Sequence, residues 1–374
     1  MQLKRNVFRV VELGSIIAAP FAGLVLAHLG FDVVKVEPLG GDFTRYDDVM
    51  GDSIFVFLNR GKRSMAIDLK KPEGRDLFLR LIARSNVLIE NLSPGAMDRL
   101  GLGDDVLFKA NPRLVYCSIK GYPGGEYRGW PAFGTLVEAA SGVMWNNGNA
   151  RLLASITDMG AALYCVIDVL WALLNNRPGH YEVTLYQSDA VWLGYYMIAY
   201  QELGKLFQSL GDALPYWAPY ELFRTADDKY VYIAVANDAI WRRLCKALGL
   251  EGVMEDPRFR TNADRVRNRG ELHRVIEDVT RRYTRDELLR LLLSNDVPAA
   301  PLMTLPEVIN SDIPQFEETK VMSGVVVKVP KLPIEGGLNN REVPGIGQYT
   351  MEILREIGLN QEEINRLINN NVIK

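Results

Sequence analysis

Cysteine and histidine are scarce in this chain. Its 374 residues contain three of each, and none of them falls at a metal-ligand or redox spacing such as CxxC or HExxH. The odd number and wide spacing of Cys117, Cys165 and Cys245 indicate reduced thiols rather than a disulfide framework. We therefore expect a cytoplasmic protein without a metal site, and no His-Asp-Ser or Cys-His arrangement is evident that would support histidine catalysis.

Strong net charge and a long hydrophobic run are also missing. The net charge of −3 gives no whole-chain attraction to nucleic acid or to an anionic membrane. The longest apolar stretch, 159–174, is shorter than the roughly 20 residues that a membrane span needs, and it ends in a normal helix stop at Asn175–Gly179. The N-terminal apolar run alternates like a strand rather than forming a signal-peptide core. We expect a buried helix at 159–174, and no nucleic-acid or membrane partner.

The first half of the chain alternates strand-like and helix-like segments. We predict strands at 7–13, 33–37, 64–69, 87–89, 115–119 and 181–185, and helices at 20–29, 72–83 and 159–174. Strands interleaved with crossover helices indicate an α/β fold with a parallel sheet covered on both faces. Ligands on such sheets usually bind beyond the carboxyl ends of the strands.

The composition changes after about residue 200. A hairpin is predicted at 220–225 and 230–236, followed by amphipathic helices at 238–249 and 268–295, and the tail is helical at 350–357 and 361–369. These patterns predict a large α/β domain at 1–195 and a smaller α+β domain at 215–320. Residues 321–374 are expected to form a linker and C-terminal helices that return to the large domain.

Three loops are candidates for ligand contact. Gly14–Pro20 joins the first strand to the first helix without a GxGxxG fingerprint. Asn59–Ser64 groups three cations with a glycine, an arrangement that either clamps phosphates or forms a solvated face. Asn91–Gly95, followed by Arg99, stands just past a strand and is either a ligand contact or a turn before a helix.

Asp158 stands at the start of the apolar helix. By local pattern an N-cap aspartate is the commoner interpretation. A carboxylate at this position is also able to act as a covalent nucleophile, because nearby helix N–H groups would keep it ionised. Gly160 would then leave room for an approaching ligand.

Several blocks, in order along nearly the whole chain, resemble the class III (formyl-CoA transferase-like) CoA-transferase family, which also contains the α-methylacyl-CoA racemases. The blocks are Leu13–Pro20, Gly30–Pro38 with Gly41-Asp42, Asn59–Asp68, Glu90–Gly95, Asn111–Tyr116, Thr157–Gly160, Asp256–Phe259, Val297–Ala299 and Gly347–Ile373.

The resemblance implies a Rossmann-like large domain built from both ends of the chain, and an interlocked homodimer. It also implies that Asp158 is the nucleophile of a CoA-transferase. The carboxylate would form a mixed anhydride and then an aspartyl-CoA thioester, from which CoA passes to a carboxylic acid acceptor. Coenzyme A and acyl-CoA are then substrates, and no cofactor is bound permanently.

The same resemblance implies a set of CoA contacts. Ile16, Ile17 and Ala18 would line the CoA channel. Arg60 and Lys62 would contact nucleotide phosphates. The adenine and phosphate end of CoA would be held by Asn91 and Arg99.

The chain departs from the racemase branch at Phe133-Gly134, where racemases carry a His-Asp pair. Proton exchange at an α-carbon needs an acid and a base on opposite faces, and Phe and Gly supply neither. Gly134 also replaces an acidic residue of some transferases. A racemase or another acyl-CoA isomerase remains an alternative, as does a non-catalytic CoA-binding protein in which Asp158 is only a cap.

Overall fold

The structure is a computed structural model that describes residues 7–313, 315–338 and 342–374. In chain order its strands are β1 (Arg9–Leu13), β2 (Asp32–Glu37), β3 (Arg63–Ala66), β4 (Val87–Glu90), β5 (Val115–Lys120), β6 (Gly179–Thr184), β7 (Tyr220–Arg224), β8 (Tyr230–Ala234), β9 (Ala299–Pro301), β10 (Phe316–Lys320) and β11 (Val326–Pro330). Its helices are α1 (Ala18–His28), α2 (Ser53–Asn59), α3 (Pro72–Ile82), α4 (Ala96–Arg99), α5 (Asp104–Ala110), α6 (Gly134–Ser141), α7 (Val143–Asn146), α8 (Ile156–Leu174), α9 (Leu185–Trp192), α10 (Gly194–Leu203), α11 (Asp238–Leu248), α12 (Glu251–Met254), α13 (Asn262–Arg267), α14 (Arg269–Thr280), α15 (Arg285–Ser294), α16 (Leu305–Ile309), α17 (Thr350–Glu356) and α18 (Gln361–Asn369).

The first six strands form one parallel sheet in the order β3-β2-β1-β4-β5-β6. This is the strand order of Rossmann-type doubly wound sheets, in which the winding reverses between the first and fourth strands. The predicted α/β class with a parallel sheet is confirmed. The first five strands are buried apart from one end residue at most, and their short apolar runs are the pattern from which the sequence located them. The sixth, β6 at the edge of the sheet, is buried only at Val183 and Thr184.

Alternate residues of the strands build two separate cores, because successive side chains point to opposite faces of a sheet. On one face Val10 and Val87 pack with α1 and α8, where alanines allow close approach. On the other face Val11 and Leu88 pack with α3, α5 and the C-terminal helices α17 and α18. Both ends of the chain therefore contribute to the same sheet unit.

Contacts divide the chain into two units. One takes in the chain up to Ser141, Leu152–Leu193 and the chain after Ile313; the other takes in Gly142–Arg151 and Gly194–Ile313. The division differs from the predicted boundary at residue 320, because β10 pairs antiparallel with β11 and a cut at 320 would fall in that hairpin.

The second unit is an α+β structure. Its antiparallel sheet has the order β7-β8-β9, and Phe223, Trp241 and Ile276 lie in its apolar core. The helix predicted at 268–295 is two helices, because Thr284 begins a capping box that starts α15 after α14 has ended.

By length and composition alone, α8 is apolar enough to cross a membrane, a property that core helices of soluble proteins share. One face of α8 packs on α1 and the sheet through Ala161, Cys165 and Val169. The opposite face, with Ile167 and Trp171, is exposed. The predicted burial of this helix is therefore correct for one face only.

Candidate active site

The β1–α1 loop (Gly14–Ile17) and the start of the loop after β4 meet at the carboxyl edge of the sheet. Asn91 Nδ2 donates to the Ser15 carbonyl at 2.9 Å, and the Ser15 N–H donates to Asn91 Oδ1 at 3.0 Å. Since β1 and β4 are the strands where the winding reverses, this clamp lies at the place where open α/β sheets bind ligands. Asn91 thus has a structural role in addition to its predicted ligand contact.

The predicted channel residues follow directly in the β1–α1 loop. Ile16 has a φ of 65°, a left-handed conformation that is a genuine outlier for a β-branched residue. Ile17 is the N-cap of α1 and makes no side-chain capping bond, and Ala18 is the buried first residue of the helix. The start of α1 therefore has no side-chain cap, whereas the Ser15 N–H is bound by Asn91, and the loop has a conformation that its surroundings must hold.

Arg60 and Lys62 point into the protein. The Arg60 guanidinium is wholly buried, pairs with Glu317 at 2.9 Å and donates to the carbonyl of Phe57. Lys62 is buried as well, and its ammonium donates to Glu12, Pro20 and Asn59. The structure thus gives both cations internal partners and no geometric support for their predicted phosphate contacts.

Arg99 differs from these two cations because it lies at the surface. It donates to the Pro94 carbonyl at 3.1 Å and to Ser93 Oγ at 3.2 Å while its guanidinium remains exposed. Beside this segment is a cavity of about 720 Å³ whose lining includes Gly95, Met97, Tyr116, Lys120, Arg128 and His180. Arg99 is therefore available for an anionic ligand at the same edge of the sheet as Asn91.

The structure contains a Ser-His-Asp chain of hydrogen bonds, an arrangement that the sequence did not reveal. His180 Nε2 lies 2.8 Å from Ser118 Oγ, and His180 Nδ1 lies 2.9 Å from Asp104 Oδ2. Ser118 is on β5 and is completely buried, so its hydroxyl is not accessible to a substrate. The three residues are far apart in sequence, and only the pairing of β5 with β6 brings Ser118 and His180 together.

Asp158 lies at the same edge as the β1–α1 loop. The helix α8 ends at Leu174, four residues before β6 begins at Gly179 on the amino edge of the sheet. With 19 residues the helix is about 28 Å long, so its N-terminus must lie at the carboxyl edge. The topology therefore brings Asp158 and the predicted CoA contacts at Ile16–Ala18 and Asn91 to one side of the sheet.

The N-cap interpretation of Asp158 is wrong. Ser155 is the N-cap of α8, without a side-chain capping bond, and Asp158 is the third residue of the helix. The only hydrogen bond that acts on its pKa comes from its own backbone, so no cation or side-chain donor among the described residues holds the carboxylate. Asp158 as a whole residue is half-buried.

The helix terminus does not lower the pKa of Asp158 below its ordinary value. Burial, together with the neighbouring carboxyls of Glu138 and Asp189, raises the pKa of Asp158 to about 6. Desolvation disfavours the charged form and like charges add to that effect. A pKa near neutrality suits a group that must be ionised yet basic enough to attack.

Glu138 and Asp189 are the site residues that sequence reasoning missed. Both are buried. Asp189 accepts hydrogen bonds from Thr157 Oγ1 at 2.8 Å and from Ser141 Oγ at 2.9 Å. These contacts join α6, α8 and α9, and no local pattern in the sequence indicates them.

Two glycines near Asp158 have different roles. A Cβ at Gly134, the first residue of α6, would lie 2.9 Å from Asp158 Cγ and closer still to Oδ2. Gly134 therefore makes the space that the carboxylate occupies. At Gly160 a Cβ would lie 2.7 Å from Ser188 Oγ and 3.1 Å from Trp192 Nε1. Gly160 thus permits close packing of α8 on α9, and the expectation that it leaves room for an approaching ligand is wrong.

No cluster of three or more His, Cys, Asp or Glu side chains suited to a metal ion occurs within 7–313, 315–338 and 342–374. Asp158 lies in the first turn of α8 and beside Gly134, the first residue of α6, so the backbone N–H groups of two helix starts are near its carboxylate.

Comparison with known proteins gives consistent results. The sequence profile of CoA-transferase family III matches residues 7–340. The chain is 32% identical to an acetyl-CoA:oxalate CoA-transferase of Acetobacter aceti, with 90% of each chain covered. It is also 32% identical to a succinate–glutarate CoA-transferase of Agrobacterium fabrum, covering 93% of this chain and 94% of the relative.

A solved structure agrees with the sequence relatives. A CAIB/BAIF family protein from Brucella suis is similar with a TM-score of 0.81 and 32% identity, covering 94% of this chain and 98% of that one. The similarity extends over both units of the chain.

Proposed function

Because the chain belongs to CoA-transferase family III and is a CoA-transferase, we propose that it moves CoA from an acyl-CoA donor to a carboxylic acid through a covalent intermediate on Asp158. One observation carries this proposal. Asp158 is a half-buried residue at the carboxyl edge of the sheet, and its carboxyl has no cation or side-chain donor among the described residues and a pKa raised to about 6.

The reaction is a sequence of four acyl transfers that needs no water, metal or redox partner. Asp158 attacks the donor thioester carbonyl, which forms a mixed anhydride and releases CoA thiolate. The thiolate then attacks the Asp158 carbonyl, which forms the aspartyl-CoA thioester and releases the donor acid. The acceptor carboxylate attacks this thioester and again releases thiolate, and thiolate attack on the acceptor carbonyl forms the new acyl-CoA and restores Asp158. Dividing the exchange into covalent steps avoids one difficult step.

The raised pKa of Asp158 suits its role as the nucleophile. With a pKa of about 6, about nine tenths of the carboxylate is ionised at pH 7. It is nevertheless more basic than an ordinary aspartate and hence a better nucleophile. The backbone N–H groups at the starts of α6 and α8 are suited to stabilise the oxyanions that develop on the thioester and anhydride carbonyls.

The CoA contacts in this proposal are the β1–α1 loop with Ile16, Ile17 and Ala18, together with Asn91 and Arg99. Three features support them. The loop lies where the sheet winding reverses, its backbone has no side-chain cap, and Arg99 keeps an exposed guanidinium nearby. Arg60 and Lys62 enter the proposal as internal cations of this region rather than as phosphate ligands.

Small dicarboxylic acids are the acids to test first. The two relatives named above act, by their names, on oxalate and on succinate and glutarate. A mass-spectrometric screen of acyl-CoA donors paired with such acids would identify the pair that this chain uses. Pairs without exchange would remove these acids from the proposal without affecting the role of Asp158.

An interlocked homodimer is part of the proposal. The outer face of α8 carries an apolar stripe at helical spacing, Leu163, Ile167, Trp171 and Leu174, with exposures between 45% and 85%. Contiguous apolar surface of this kind marks an interaction site. A second copy is the partner proposed here, and a cytoplasmic location, which suits the three free thiols, completes the proposal.

The mechanism is tested by Asp158→Ala, with Asp168→Ala, two to three turns along the same helix, as the matched control. We expect Asp158→Ala to abolish exchange while CoA still binds, and Asp168→Ala to retain exchange. Hydroxylamine added during turnover should convert an aspartyl thioester to a hydroxamate, detectable by peptide mass spectrometry at Asp158. Full turnover by Asp158→Ala would exclude the covalent mechanism.

The racemase alternative receives no supporting observation. Position 134 has no side chain, and the Phe133 side chain is apolar and exposed. Incubating a 2-methylacyl-CoA in deuterated water distinguishes the two reactions, because a racemase would incorporate deuterium at the α-carbon. A non-catalytic CoA-binding protein would bind CoA but move no radiolabelled CoA between acyl groups.

A further inference from the structure

We propose that Lys62 is a positioning residue that holds the β1–α1 loop from inside the protein, and that it makes no contact with the phosphates of CoA. The inference rests on the proposed function, since it assigns that loop to CoA. It concerns an internal ion-pair group, defined here as the Lys62 group: Glu12, Lys35, Asp42 and Lys62.

The ammonium of Lys62 has no donor left for a ligand. Its Nζ lies 2.6 Å from Glu12 Oε2, 2.7 Å from the Pro20 carbonyl and 2.9 Å from Asn59 Oδ1. An ammonium has three N–H donors, and all three therefore have acceptors. The side chain is wholly shielded from solvent.

Lys35, the second cation of the Lys62 group, is also bound by buried carboxylates and by a backbone carbonyl. Lys35 Nζ lies 3.0 Å from Glu12 Oε1 and 3.0 Å from Asp42 Oδ2, and it donates to the Gly14 carbonyl at 2.8 Å. Glu12 is thus shared by both lysines. Through them it is linked to two carbonyls, one at Gly14, where the β1–α1 loop begins, and one at Pro20, in the first turn of α1.

The loop between these two carbonyls needs such support. Ile16 holds a left-handed φ of 65°, and strained backbone of this kind is unfavourable and persists only where its surroundings determine it. Asn91 binds both backbone polar groups of Ser15 from the neighbouring loop. The Lys62 group supplies the remaining fixed points.

The first turns of α1 are adapted to the same group. A Cβ at Gly23 would lie 3.1 Å from Lys62 Nζ and 3.1 Å from Glu12 Cδ. The missing side chain lets the buried ion pair approach the helix that the β1–α1 loop begins. The two lysines balance Glu12 and Asp42 in charge, so removing one cation leaves the buried group with an excess negative charge, which is strongly unfavourable.

The test compares two substrates that differ in phosphate. Lys62→Met and the wild type are assayed with acyl-CoA and with the matching acyl-pantetheine, which has no phosphate. KM is the quantity compared because it does not depend on the fraction of folded enzyme. We expect Lys62→Met to raise KM for both substrates by a similar factor, about tenfold, since a displaced loop affects the pantetheine arm that both share. A rise confined to acyl-CoA would show a phosphate contact and overturn the proposal.

Two further variants provide a positive control and a substitute for Lys62→Met. Arg99→Met, a surface cation, is expected to raise KM for acyl-CoA alone, which shows that the assay detects a lost phosphate contact. If Lys62→Met does not fold, Glu12→Gln removes the shared charge while keeping Lys62 in place. The positioning role predicts that Glu12→Gln raises KM for both substrates, and unchanged KM values would overturn it.

Failure of the proposed function would be distinguishable. If the wild type transfers no CoA, calorimetric binding of CoA and of pantetheine to the wild type and to Lys62→Met makes the same comparison. Equal weakening of the two ligands would support the positioning role, and weakening of CoA alone would overturn it.

Discussion

The carboxylate of Asp158 occupies the space that a side chain at Gly134 would need. An alanine Cβ at position 134 would lie 2.9 Å from Asp158 Cγ, so Gly134→Ala must displace the nucleophile. We expect a fall in kcat of roughly 100-fold, the size of loss that a 1 Å misplacement causes, with CoA affinity unchanged. Gly129→Ala, where a Cβ would meet nothing within 4 Å, is the matched control. Equal kcat values for the two variants would show that a side chain at position 134 does not displace Asp158.

The pH dependence of exchange should report Asp158. Because its pKa is about 6, kcat/KM is expected to fall tenfold per pH unit below about pH 6, where the carboxyl is protonated and cannot attack. Glu138→Gln removes a neighbouring negative charge and should move this limb to lower pH, since like charge raises the pKa. If the acidic limb of the kcat/KM profile stays at the same pH in Glu138→Gln, Glu138 is not a cause of the raised pKa of Asp158.

The raised pKa of Asp158 also predicts that its ionised carboxylate destabilises the folded state. Asp158 has a higher pKa folded, about 6, than its ordinary 3.8, so the folded state binds the proton more tightly and loses stability as pH rises from about 4 to 6. Asp158→Asn, which imitates the protonated form, should raise the free energy of unfolding by about 1–3 kcal/mol at pH 7.5. Chemical denaturation at pH 7.5 and 4.5 measures this, and the difference should shrink at the lower pH. A gain of equal size at both values would point to a cause other than ionisation.

Gly160 should matter for stability because of helix packing. Gly160→Ala places a Cβ 2.7 Å from Ser188 Oγ, and overpacking of this kind destabilises by about 1–3 kcal/mol. Gly252→Ala, also in a helix but facing open space, should instead stabilise by about 0.5–1 kcal/mol because alanine favours helix. Thermal unfolding of both variants checks the opposite signs. Destabilisation of both would show that the Gly160 effect is not one of packing.

The apolar stripe of α8 should control assembly. Ile167→Asp puts a charge in the centre of the stripe, and we expect it to convert a dimer to a monomer in size-exclusion chromatography with light scattering. Val49→Asp is the control, since Val49 is 92% exposed and lies outside the stripe. An unchanged mass for Ile167→Asp would contradict the proposed interface.

Sequence pattern located the parallel strands because buried strands have a local signature, a short apolar run between turn residues. It also identified Asp158 at the start of the apolar helix, and the loops around Ile16 and Asn91, which follow apolar strands, with Arg99 shortly after the second loop. The interpretation of Asp158 as the N-cap failed because the N-cap of α8 lies three residues earlier, at Ser155. The start of an apolar run in the sequence does not locate a helix end to within a few residues.

The sequence by itself determined the sheet, its order of helices and strands, and the candidate nucleophile. Only the tertiary structure decided what surrounds that nucleophile. Burial, together with Glu138 and Asp189 from other helices, raises the pKa of Asp158. Lys62 is a buried cation whose ammonium is paired with Glu12 on β1. Such pairings depend on which elements pack together, and the charge of a lysine does not indicate in sequence whether its partner is a phosphate or a buried carboxylate.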